Sequence, residues 1–90
     1  MEFTAQENKV IALTILTKED GTTRTFPTNE QVTALEIFKK VKPFLTDDNR
    51  VLEGSFDLSI EEKAMLLKLI DRPFDVQILE SVLSLKSKLS

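Results

Sequence analysis

The stretch TAQENKVIALTILTKEDGTTRTF, residues 4–26, decides the fold, because it supports two incompatible readings. Val10-Ile11-Ala12-Leu13-Thr14-Ile15-Leu16-Thr17 is rich in residues that favour strands, and so is Thr22-Thr23-Arg24-Thr25-Phe26. Between them sits Asp20-Gly21, a pair suited to a type I′ turn because both central positions need positive φ. On that reading residues 9–26 form a β-hairpin with Ile11, Leu13 and Ile15 on one face, ended by Pro27. The competing reading starts a helix at Thr4, with Glu7 three residues on to complete a capping box. Val and Ile enrichment together with the turn favours the hairpin.

Downstream the pattern becomes helical. Thr28 or Asn29 can cap a helix over 28–45, with Glu30 in its first turn. Val32, Leu35, Phe38 and Val41 recur at helical spacing, flanked by Ala34, Ile37 and Phe44, and Pro43 forces an end or a kink. Residues 50–58, interrupted by Gly54 and Ser55, read as a short third strand or an extended lead-in. Ser59 with Glu62 is a second capping box, opening a helix over 59–71 whose core arc is Ile60, Leu66, Leu67 and Ile70. After a connector containing Arg72, Pro73 and Phe74, residues 75–89 form a last helix, with Pro73 suited to its first turn. In that helix Val76, Ile78, Leu79, Val82, Leu83, Leu85 and Leu89 fill one half of the cylinder. The short connector makes the last two helices an αα-hairpin. No internal repeat or low-complexity tract is visible. The expected fold is α+β: one small domain, with an N-terminal β-hairpin and a possible third short strand packed on three helices.

Composition narrows function by exclusion. The 90 residues include no His, Cys, Trp or Tyr. Those side chains supply most general bases near neutral pH, soft metal ligands and thiol nucleophiles. Carboxylates, amines and hydroxyls remain, and at ordinary pKa values they are poor catalysts at neutral pH. Without cysteine there is no disulfide staple, which points to a reducing, cytoplasmic setting. The longest apolar run, Val10 to Leu16, is too short to span a bilayer, so no membrane is expected. A net charge of −3 argues against nucleic acid or an anionic membrane as the principal partner.

Each candidate site has a plain alternative. Asp47-Asp48-Asn49 with Glu53 and Asp57 resembles a calcium loop only in charge. Counted from Asp47, the sixth position is Leu52 rather than Gly and the twelfth is Leu58 rather than Glu, so no metal is expected. Lys39, Lys40 and Lys42 could touch phosphates, but cations at a helix C-terminus also complement its dipole. The pairs Glu61/Glu62 and Asp71/Asp75 are explained by helix starts, so no catalytic residue and no cofactor is expected. What stands out is surplus apolar surface on the last two helices. A face about 180° wide exceeds the roughly 100° a core-facing helix needs. The expected function is therefore protein–protein contact through Met65, Leu69, Phe74, Val76, Leu79 and Leu83, with homodimerisation as one form of it. The alternative is a small nucleic-acid-associated regulator using Lys39, Lys40 and Lys42. The composition looks like that of small accessory proteins encoded by bacteria or their phages.

Overall fold

The computed structural model describes residues 1–46, 48 and 50–90, and it resolves residues 4–26 in favour of the helix. The elements are β1 (Glu2–Phe3), α1 (Ala5–Leu16), α2 (Thr28–Val41), a 3₁₀ turn (Lys42–Phe44), β2 (Gly54–Ser55), α3 (Ile60–Leu69) and α4 (Val76–Leu89). The α+β class and the helical hairpin of α3 and α4 stand. The β-hairpin over 9–26 does not.

Two physical reasons decide for helix. Thr4 accepts a hydrogen bond from the Glu7 N–H at 3.1 Å, while the Glu7 carboxylate accepts from the Thr4 N–H at 2.8 Å. That capping box satisfies donors a helix start would otherwise leave bare. Second, the nearly unbroken apolar run belongs to a central helix covered on most sides. Val10, Ile11, Ala12, Thr14 and Ile15 are all buried, and the Thr14 hydroxyl is satisfied by the Val10 carbonyl at 2.6 Å. A helix apolar nearly all round and a two-sided strand look alike in one sequence. A turn does form here, but the Gly21 N–H donates to the Lys18 carbonyl at 3.0 Å, so its central residues are Glu19-Asp20 rather than Asp20-Gly21. Gly21 has φ +84, and the Thr22 N–H donates to the Asp20 carboxylate at 3.0 Å. Its arms carry a single bridge, Thr17 to Thr23, so it joins two helices rather than two strands.

A strand does form within 50–58, but at Gly54–Ser55, the two residues read as interrupting it, and its partner is Glu2–Phe3. β1 pairs antiparallel with β2, Glu2 opposite Ser55 and Phe3 opposite Gly54. Phe3 stacks on Phe56 with centroids 4.6 Å apart, and Phe56 on Phe44 at 5.8 Å. A Cβ at Gly54 would lie 2.1 Å from the Phe44 ring, so only glycine admits this close approach.

The helices depart from expectation in detail. The cap of α2 is Pro27, and the segment expected to run to 45 tightens to 3₁₀ at Lys42-Pro43-Phe44. Its buried residues are Ala34, Ile37 and Val41, leaving Val32 72% exposed and Leu35 50% exposed. This rotation brings Lys40 beside Glu62 of α3. Ile60, expected in the core, is 83% exposed, because the position after an N-cap lies outside the packed arc of α3. Pro73 stays in the connector, and Asp75 is the N-cap of α4. Asp47 and Asn49, the first and third positions of the calcium-like segment, lie outside the described residues.

The two halves repeat one construction that residue identity hides. Each is a short strand, a helix opened by a capping box, a connector and a 14-residue helix. Thr4 and Glu7 correspond to Ser59 and Glu62. Ala34, Ile37 and Val41 of α2 correspond to Val82, Leu85 and Leu89 of α4, all six buried at matching positions. The penultimate residue of both long helices is a lysine. Lys88 of α4 bonds Glu7 of α1 at 2.7 Å, and Lys40 of α2 bonds Glu62 of α3 at 2.5 Å. Each capping-box glutamate is therefore neutralised by the other half, as a two-fold relation requires. α1 and α3 touch each other and both long helices, whereas α2 and α4 pack mainly on α1 and α3.

Candidate functional site

Among the described residues the buried carboxylates are Glu7 and Glu62. Glu7 is 1% exposed and Glu62 5% exposed at the side chain. Burial works to raise the pKa of Glu7, but the Lys88 hydrogen bond, the Thr4 N–H, the Ser84 hydroxyl and the Lys88 charge outweigh it, and the net shift is downward. Glu62 behaves alike: burial raises, while the Lys40 hydrogen bond, the Ser59 N–H, the Lys40 charge and the Ser59 hydroxyl prevail. Both carboxylates are held ionised, the opposite of what a general acid needs. Lys88 also donates to the Glu2 carbonyl at 2.8 Å, tying the chain's two ends together. Among the described residues no three His, Cys, Asp or Glu side chains converge as metal ligands.

The lysine trio is divided by the fold. Lys40 is bonded to Glu62, and Lys39 sits 3.6 Å from Glu36. Only Lys42 among the three has no carboxylate within ion-pair distance among the described residues. The structure does not bring the three into one unpaired cationic patch.

The six apolar candidates separate into two groups. Met65, Leu69 and Phe74 are half-buried and pack against the core cluster. Phe74 carries the Arg72 guanidinium 5.3 Å from its ring centre, and Arg72 is anchored to the Thr17 carbonyl at 2.9 Å. It is therefore a packed connector residue rather than a free anchor. Val76, Leu79 and Leu83 instead align on the outer side of α4 at three- and four-residue spacing. Val76 is 81% exposed, Leu83 62% exposed, and Leu79 half-buried between them. The seam of Val82, Leu85 and Leu89 is the face α4 turns inward.

Two clefts were not foreseen. One, about 430 Å³, lies beside the β1–β2 pair and includes Lys88, whose charge is already committed to Glu7. The other, about 280 Å³, runs between α1 and Leu45, Thr46, Arg50 and Val51, with Leu13 and Leu16 on one wall. Read as helix, Lys9, Leu13 and Leu16 share one exposed stripe at i, i+4 and i+7, a signal the hairpin reading concealed. Among the described residues no helix is long and apolar enough to cross a membrane. Compared with family models, with curated proteins and with solved structures, the chain matches none of them.

Proposed function

We propose that this chain is a non-enzymatic protein-binding module of the cytoplasm whose working surface is the outer face of α4. One observation carries the reading. The two-fold construction makes Thr28 and Gln31 of α2 the counterparts of Val76 and Leu79 of α4, with Leu35 matching Leu83. Thr28 and Val76 are both exposed, as are Leu35 and Leu83, and Gln31 is exposed where Leu79 is half-buried. The architecture accepts polar residues at two of these three positions, so Val76 and Leu79 are not demanded by folding, and Leu83 extends their stripe by one step. Apolar side chains in solvent at positions that need none mark an interaction surface. The ionised, hydrogen-bonded state of Glu7 and Glu62 supports the non-enzymatic part.

The experiment compares the whole chain with a Val76→Glu/Leu83→Glu variant and, as control, Val32→Glu/Leu35→Glu on α2. Association with itself or with a host protein, read by cross-linking in a native lysate, is expected to be lost from the α4 variant alone. Equal behaviour of the two variants, both folded by circular dichroism, refutes the assignment.

A further inference from the structure

Resting on that docking face, we infer that its occupant is a second copy of this chain, laid antiparallel along α4. The apolar stripe is self-complementary in that direction. With the two-fold axis beside Leu79, Val76 meets Leu83 of the partner subunit and Leu79 approaches its own counterpart. The three- and four-residue steps are those of a short helix–helix seam.

Charge then selects the orientation. Asp75 and Lys86 lie about three helical turns apart, so they share one flank of the stripe. Among the described residues neither belongs to an ion pair within the chain, and Asp75 makes no side-chain hydrogen bond as N-cap. An antiparallel partner sets Asp75 against Lys86 of the partner subunit, twice over by symmetry. A parallel one would put the two copies of this flank on opposite sides of the seam, so neither charge would face its opposite. The counterparts on α2 are Pro27 and Phe38, so α2 carries no equivalent charge pair. One face of a helix about 21 Å long covers less than the roughly 800 Å² per partner of a standard interface, so the pair is weak and concentration-dependent.

Sedimentation of the full chain between about 10 μM and 1 mM tests this, in the range where small interfaces associate. The wild type is expected to shift from monomer to dimer. Asp75→Lys and Lys86→Glu should each weaken the dimer about tenfold, since each turns two attractions into two repulsions. Mixed one to one, the two variants should recover dimer strength to within about threefold of wild type, because both cross pairs again join opposite charges. A wild type that stays monomeric throughout, or a mixture no stronger than its components, overturns the second-copy assignment. If a host protein is nevertheless lost on Val76→Glu/Leu83→Glu, the docking face stands with a different occupant. If nothing depends on that face, both inferences fall.

Discussion

Replacing Lys40 by Met probes the exchange of charges between the two halves. Methionine keeps most of the apolar stem and removes the cation. Glu62 would retain the Ser59 N–H at 2.7 Å but lose its only ion-pair partner among the described residues. Breaking a fully buried pair costs about 3–5 kcal/mol, because the remaining charge is stranded. Here the Lys40 side chain is 34% exposed, so solvent screens part of the interaction, and about 2 kcal/mol is expected. In a domain of this size that lowers the melting temperature by roughly 8–16 °C. Lys88→Met should cost a similar amount or slightly more, since Glu7 is more deeply enclosed and Lys88 also holds the Glu2 carbonyl. The two pairs join different helices and share no partner, so the double variant should lose the sum to within about 0.5 kcal/mol. Urea denaturation followed by circular dichroism reads all three. If Lys40→Met costs under about 0.5 kcal/mol while Lys88→Met costs several times more, the pairs are not equivalent. The two-fold argument would then fail.

Acid should unfold the protein through the same glutamates. Both have folded pKa values below the ordinary one, so the unfolded chain binds protons more readily. Their stabilisation is complete above an unfolded value of about 4.3 and declines as pH falls through the folded values. Glu7→Gln and Glu62→Gln should each flatten that decline in urea midpoints measured against pH. Gly54→Ala should cost about 1–3 kcal/mol by displacing the Phe44 ring, read as a lower thermal midpoint with the ring stack disturbed in aromatic NMR shifts.

What the sequence disclosed depended on whether the signal was local. Ser59 and Glu62 announced α3, and residues 75–89 nearly coincide with α4, because caps and a clean 3.6-residue period act within a few residues. A turn at Asp20-Gly21 was equally legible, though not its centring one residue earlier on Glu19-Asp20. Its flanks were not, since a β-branched apolar run is consistent with a strand and with a helix covered on most sides. Tertiary burial of α1 by α2, α3 and α4 settled that, aided by a capping box whose sequence signal was present at Thr4 and Glu7. The pairing of Glu2–Phe3 with Gly54–Ser55 spans most of the chain and leaves no local trace. The repeat was hidden for a related reason. Its halves conserve where a side chain is buried and which charge it carries, while differing in residue identity and in connector length. Of the candidate face, Val76, Leu79 and Leu83 followed from periodicity. The enclosure of Phe74 beneath Arg72 did not, because a connector's path is set by what it meets.

The correspondence of the two halves also separates residues needed for folding from residues free for contact. Val76→Thr with Leu79→Gln gives α4 the polar residues that α2 carries at the corresponding positions. If those apolar side chains serve only a partner, stability should change by less than about 1 kcal/mol, most of it from the half-buried Leu79. A substitution in the inward seam, such as Leu85→Ala, should by contrast cost about 2–5 kcal/mol. Association through α4 should disappear in the first variant while its urea midpoint stays near that of the wild type. Should Val76→Thr/Leu79→Gln instead unfold the domain, the equivalence with α2 would not extend to the outer surface. The apolar face of α4 would then be structural, and no argument for a partner could be built on it.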